Sequence, residues 1–138
     1  MEIKNIENKK YYNKDHLIYS CQYHVIFCPK YRRRVLKEEY QLRLKEIFKD
    51  VSLKYDFNII EMEIMEDHVH LLLECNPRFG IMKCIHKLKG TSSNLMFKEF
   101  PKLKSKLPTL WTRNAFISTV GSVSLEVIKK YIEEQKNV

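Results

Sequence analysis

The sequence predicts an α+β domain in which two helices pack on one face of a four-stranded antiparallel sheet. Three observations carry this. Four short segments rich in β-branched and aromatic residues read as strands, at Tyr19–Phe27, Asn58–Met65, Val69–Cys75 and Phe116–Val120. Two long stretches between them, Glu38–Tyr55 and Gly80 to about Phe100, space their apolar residues as helices do. A third helix at Leu125–Gln135 completes the order β-α-β-β-α-β-α.

The first strand stops at Pro29, and the basic turn Lys30–Arg34 (KYRRR) follows. In the first helix Tyr40, Leu44, Ile47, Phe48, Val51 and Tyr55 form one apolar face, and Asp56-Phe57-Asn58 is a turn. The second and third strands are joined by the acidic turn Glu66-Asp67, and Asn76-Pro77 ends the third. Ile81, Ile85, Leu88 and Leu95 share a face of the second helix, and Pro101–Pro108 is a Lys-rich connection. Gly121 turns the fourth strand, Ser124 is placed to cap the last helix, and Val127, Ile128 and Ile132 give that helix its apolar stripe. The polar stretch Met1–Lys14 reads as a partly ordered tail, which divides the chain into a tail at 1–15 and a domain at 16–138. The first six elements follow the split βαβ order of the ferredoxin-like (RRM-like) fold, which leaves one sheet face open. The last helix is an addition placed to cover part of that face.

A chain of 138 residues suits one domain. Its 25 Lys and Arg against 17 Asp and Glu leave a net charge of +8, which points to a polyanionic partner. With only 3 glycines, neither G-x-G-x-x-G nor a Walker-type phosphate loop can be written, so nucleotide-cradling enzymes are excluded. Cys21, Cys28, Cys75 and Cys84 form no C-x-x-C pair and read as free thiols, not as a zinc site or disulfides. No apolar run approaches a membrane span, and Met1–Lys14 has no hydrophobic stretch of a signal peptide. A cytoplasmic location with no membrane contact is expected.

The segment Glu66-Asp67-His68-Val69-His70-Leu71-Leu72-Leu73-Glu74 carries the chemistry. Side chains alternate across a strand, so His68 and His70 share one face while Val69, Leu71, Leu73 and Cys75 share the other. Two adjacent imidazoles are the beginning of a divalent-metal site, but two ligands do not make one, and by themselves they read first as polar residues on a solvated face. Asp67, Glu66 and Glu74 read as surface charge. On the last helix Tyr131 and Gln135 lie four apart, on one face. Periodicity alone reads that tyrosine as a core-edge residue. His24 reads first as a fold or hydrogen-bonding residue.

Together these pieces are H-U-H (U being hydrophobic) on a central strand and Y-x-x-x-Q on the final helix, in a small basic domain. The sequence here resembles the single-tyrosine HUH transposases of the insertion sequence 200/605 type, from about His16 to Gln135. Five ordered segments carry the resemblance. They are the Tyr23–Arg32 stretch (YHVIFCPKYR), Asp67–Leu72 (DHVHLL) and Lys89–Ser93 (KGTSS), then Trp111 with Phe116 and Thr119-Val120-Gly121, and last Tyr131–Gln135 (YIEEQ). Ala115 departs from the pattern, where an aromatic is expected before Phe116.

The resemblance implies an enzyme that cleaves and rejoins single-stranded DNA at hairpin-marked element ends. Tyr131 would be the nucleophile, forming a 5′-phosphotyrosine, while His68, His70 and Gln135 would hold a divalent cation, Mg²⁺ or Mn²⁺. It also implies a homodimer whose active sites are completed in trans by exchange of the tyrosine helix, hinged at Gly121-Ser122-Val123. Candidate DNA contacts are Lys30, Tyr31, Arg32, Arg33 and Arg34 after the first strand, Lys83, Lys87 and Lys89 on the second helix, and Arg113. A replication-initiator nickase with the same histidines, a host-domesticated relative and a non-enzymatic single-strand binding module are the alternatives.

Overall fold

The computed structural model describes residues 2–6, 9–14, 16–120 and 125–138. Its strands are β1 (Glu2–Ile6), β2 (Lys9–Lys14), β3 (Leu17–Tyr19), β4 (Gln22–Phe27), β5 (Asn58–Ile64), β6 (Val69–Glu74) and β7 (Phe116–Thr119). Its α-helices are α1 (Glu38–Tyr55), α2 (Ile81–Glu99), α3 (Pro101–Lys104) and α4 (Leu125–Glu134). The main sheet runs β5-β6-β4-β7 with every neighbouring pair antiparallel. This is the ferredoxin-like order that the sequence predicts, with α4 added.

Hydrophobic periodicity explains the helix bounds. In α1 the predicted stripe Tyr40, Leu44, Ile47, Phe48 and Val51 is buried. The helix ends where Asp56 turns left-handed (φ 57°, ψ 51°) and returns its N–H to the Ser52 carbonyl. Gly80 precedes α2 at φ 89°, a conformation that glycine adopts without steric cost. Mid-helix Gly90 is different. A Cβ there would meet nothing within 4 Å, so packing gives no reason for a glycine that costs ~0.5–1 kcal/mol against alanine.

One core fills the space between sheet and helices. Val25 and Phe27 of β4 and Val69, Leu71 and Leu73 of β6 point into it. Leu44, Ile47 and Phe48 of α1 meet them with Cys84, Ile85, Leu88 and Met96 of α2. Phe27 is the hub, edge-on to Phe48 at 6.0 Å and to Trp111 at 4.8 Å between ring centroids. The other sheet face is also covered in part. Phe116, opposite Ile26 in the ladder, meets the Tyr131 ring at 5.1 Å, so α4 lies over β4 and β7. Ile26 and Cys28 are completely buried there, with Ile128 of α4 also buried.

Three expectations are corrected. Within Met1–Lys14, read as a partly ordered tail, the described residues form β1 and β2, an antiparallel pair that β3 extends. Tyr12 and Tyr19 are buried and stacked at 5.8 Å, so aromatic cross-strand pairing holds a segment whose polarity hides it. The predicted strand Tyr19–Phe27 is two strands. At the break Cys21 donates its N–H to Glu74 Oε1 at 2.9 Å, and its carbonyl accepts from the Cys75 N–H at 3.0 Å. The connection Pro101–Pro108 contains the short helix α3. The predicted hinge Gly121-Ser122-Val123 and cap Ser124 lie outside the described residues. Among the described residues no helix is long and apolar enough to cross a membrane.

Because Phe27 is fully buried and packs edge-on against both Phe48 of α1 and Trp111, Phe27→Ala is expected to cost about 3–5 kcal/mol, read from the midpoint of urea unfolding at constant m-value.

Candidate active site on the second sheet face

The buried residues of β6 decide where its histidines go. Val69, Leu71 and Leu73 are fully buried, so His70 lies on the opposite face and His68 stands at the turn before it. Asp67 Oδ1 is 2.8 Å from His68 Nδ1. A carboxylate there accepts the Nδ1 proton and leaves the Nε2 lone pair free to bind a cation. His70 Nε2 is 3.2 Å from His24 Nδ1, one ring nitrogen donating and the other accepting. Burial first, then the neighbouring His24, holds the His70 pKa below the ordinary histidine value, so the ring is in the neutral form that binds metals.

The tyrosine sits one strand away. Phe27 pairs with Val69 at the end of the β4–β6 ladder, and the fully buried Cys28 follows it directly. Burial first, then the Asp67 carboxylate, pushes the Cys28 thiol up to about 12. Tyr131 packs on Phe116, and burial with the nearby Cys28 drives its phenol well above the usual tyrosine value. Its hydroxyl is buried with no hydrogen-bond partner, and so is Gln135 Oε1, four residues further along the chain. Gln135 is 4% exposed, so this amide oxygen has no solvent to satisfy it.

Arg32 connects the two halves. Its Nη1 donates to the Ile132 carbonyl at 3.2 Å and lies 3.6 Å from Glu133 Oε1, while Nε is 3.4 Å from Asp67 Oδ2. One guanidinium thus touches both the helix of Tyr131 and the carboxylate that orients His68. The turn that presents it is strained. Tyr31 and Arg32 have φ of 60° and 49°, left-handed values that cost non-glycine residues about 1–2 kcal/mol each. The Tyr31 N–H is held by the Val138 carbonyl at 2.7 Å.

The candidate DNA contacts divide. Lys89 donates to the Thr112 and Asn114 carbonyls at 2.6 and 3.1 Å and is committed inside the molecule, as is Arg32. Arg34 and Lys37 hold Glu66. Lys30 and Arg33 flank the exposed Tyr31 ring at 5.1 and 6.0 Å. Lys83 and Lys87 lie over Phe79 and Tyr55. Arg113 lines a groove beside α2.

Two acids read as surface charge have interior roles. Asp67 is only 14% exposed, between His68 and Arg32. Glu74 is 1% exposed, and burial raises its pKa against the stabilising Cys21 N–H. The sequence signal for Asp67 is its place directly before a strand histidine. For Glu74, on the face of His70, no local signal exists.

Among the described residues no group of three or more His, Cys, Asp or Glu could hold a metal ion. The imidazoles of His68 and His70 and the orphaned Oε1 of Gln135 are donors of kinds that a divalent cation takes.

The comparisons with known proteins define a DNA-processing enzyme of the transposase class. Residues 17–135 match the family described as Transposase IS200 like, and the chain belongs to that family. It is similar to the ISDra2 transposase TnpA of Deinococcus radiodurans, 42% identical over 120 residues covering 86% of each chain. The transposase for insertion sequence element IS200 of Salmonella typhimurium is 32% identical over 126 residues, 88% of this chain and 83% of that one. A crystal structure of a transposase from Deinococcus radiodurans superposes with a TM-score of 0.84 at 33% identity, covering 92% of this chain and 99% of the other. A REP-associated tyrosine transposase bound to a REP hairpin shares the fold at 12% identity and a TM-score of 0.52, over 88% of this chain and 67% of the other.

Burial lowers the Lys89 pKa to about 8, below its value in an unfolded chain. The folded state therefore binds that proton less tightly, and the contribution of Lys89 to stability grows as pH rises through about 8 and levels off once the unfolded chain has also lost it. Measured by urea unfolding, Lys89→Met is expected to cost about 1–3 kcal/mol by orphaning two carbonyls, with a larger deficit at pH 9 than at pH 7.

Proposed function

We propose that this transposase cleaves and rejoins single-stranded DNA next to a hairpin at each element end, with Tyr131 as nucleophile and His68, His70 and Gln135 as holders of a divalent cation. The observation that carries the reading is the pair of buried, unpartnered oxygens Tyr131 Oη, on the helix that Arg32 ties to the His68 turn, and Gln135 Oε1, in the turn that follows it. A fold under no functional demand gains by pairing such atoms.

The Tyr131 oxygen attacks the scissile phosphorus, a P–O bond to Tyr131 forms and the P–O3′ bond breaks. The phenolic proton leaves and the departing oxygen becomes a free 3′-OH. Attack of a 3′-OH on the 5′-phosphotyrosine reverses these steps and joins strands. The bond energy is conserved, in keeping with a chain that has no nucleotide-binding loop. His68, His70 and Gln135 would hold Mg²⁺ or Mn²⁺, which would supply Lewis-acid polarisation of the phosphate. Asp67 holds His68 in the binding tautomer, and Arg32 sets the tyrosine helix against that site.

Hairpin recognition is inferred from family membership and from the hairpin-bound relative of the same fold. A homodimer is part of the proposal. In the single chain α4 packs on its own sheet, and exchange through Gly121-Ser122-Val123 would complete each site in trans.

With single-stranded DNA carrying the element-end hairpin and Mg²⁺, a covalent protein–DNA adduct is expected on denaturing gels. Tyr131→Phe should lower its yield by at least about 10³-fold, and EDTA should abolish it. An adduct that survives Tyr131→Phe unchanged refutes the reading. Asp67→Ala is expected to weaken Mn²⁺ binding about 10–100-fold, measured by titration calorimetry. Mixing Tyr131→Phe with His68→Ala protein should restore cleavage that neither has alone, since a trans site takes one intact half from each copy.

A further inference from the structure

Cys75 and Cys84 have no part in the chemistry proposed above, and their spacing in the sequence suggests no pairing. The fold nevertheless brings them together. Cys75 follows β6 directly, and Cys84 lies at the start of α2. Both are free thiols in the core, 1% and 0% exposed. Their sulfurs are 3.2 Å apart, one thiol donating and the other accepting. A thiol buried alone packs as a small hydrophobe. Two thiols face to face are also the reduced form of a disulfide.

The backbone on both sides is already held. In the loop 76–80 the Arg78 N–H donates to Asn76 Oδ1 at 2.9 Å, and the Gly80 N–H donates to the Asn76 carbonyl at 2.9 Å. Gly80, at φ 89°, turns the chain into α2, where the Cys84 N–H donates to the Gly80 carbonyl at 3.3 Å. The Cys75 N–H donates across the sheet to the Cys21 carbonyl at 3.0 Å. A disulfide sets its sulfurs ~2.0 Å apart, so closure brings these two about 1.2 Å nearer, a shift of side chains and not of chain path. The hydrogen bond with Cys84, then burial, keeps the Cys75 pKa above the ordinary thiol value. The thiolate is the reactive form, so the pair resists brief exposure to oxidant and closes slowly.

We propose that Cys75 and Cys84 are a reversible, peroxide-sensitive staple, a disulfide that joins the end of β6 to the start of α2 under oxidising conditions. Peroxide oxidises the Cys75 sulfur to a sulfenic acid, and one water leaves. The Cys84 sulfur attacks that sulfur, the S–S bond forms and the S–O bond breaks. The hydroxyl leaves with the Cys84 proton as a second water. Two thiols have then lost two protons and two electrons, which the peroxide O–O bond has taken up. A thiol reductant reverses the bridge by exchange. Closure restricts the unfolded chain across the loop 75–84, so the oxidised protein is the more stable form. His68 precedes β6 and Cys75 follows it, which puts the staple at the far end of the strand from the His68 turn.

The test uses the full chain, treated with excess hydrogen peroxide, quenched with catalase, alkylated and digested with trypsin. Trypsin cuts after Lys and Arg, so Cys75 falls in peptide 55–78, Cys84 in peptide 84–87, and Cys21 and Cys28 together in peptide 15–30. Mass spectrometry should find 55–78 joined to 84–87 with the loss of two hydrogens, and dithiothreitol should split the pair. Tm should rise by about 5–10 °C on oxidation and return on reduction. Cys21→Ser protein should close as fully as the unaltered chain, and Cys84→Ala should show no rise in Tm. Recovery of 55–78 and 84–87 as separate alkylated peptides, under an exposure that oxidises peptide 15–30, overturns the proposal. Joining of 55–78 to 15–30 overturns it as well. A bridge that forms with Tm unchanged overturns the stabilising role. The peptide map and the reversible Tm shift both come from the unaltered chain, so the outcome stands even where Cys84→Ala fails to fold.

Discussion

The burial of Val69, Leu71 and Leu73 against α1 and α2 positions the rest of the site. A strand has a side-chain period of two, so committing these residues to the core fixes His70 on the far face, with no freedom of register. The same rule on β4 sends Val25 and Phe27 inward and His24, Ile26 and Cys28 outward. The ladder between the strands then brings His24 to His70. The polar face inherits its geometry from the apolar one, whose packing carries the larger energy.

The second dependency is Arg32. Helix α4 has little length of its own and gains its place through contacts with the 30–32 turn and with Phe116. Two consecutive left-handed residues are unfavourable in that turn, and they persist because the Val138 carbonyl and the guanidinium contacts hold them. The strain aims a cation at Asp67 and at the α4 backbone together. Orientation of His68 and seating of Tyr131 are therefore coupled through one side chain.

Charge is sorted in the same economical way. A net charge of +8 could be spread as an even coat, but Lys89 is consumed internally by two carbonyls and Arg34 is paired at the surface with Glu66. Lys30 and Arg33 beside Tyr31, and Lys83 and Lys87 on α2, lie over aromatic rings instead.

Periodicity determined much of the protein unaided. The stripe of α1, the alternation of β6 and the element order are local patterns, and local patterns are set by the backbone repeat, so the fold and the face of the histidines were legible. Tyr131 and Gln135 shared a helix face for the same reason. Composition misled at the N-terminus, where Tyr12 and Tyr19 form a stacked pair across strands inside a polar segment. It misled at Asp67 and Glu74 as well, because a carboxylate's burial depends on partners distant in sequence, Arg32 for one and the Cys21 N–H for the other. The choice between a core-edge and an unsatisfied tyrosine, and between free and committed lysines, belonged to the tertiary structure alone. Such questions turn on which groups long-range packing leaves without a hydrogen-bond partner, and no local spacing encodes that.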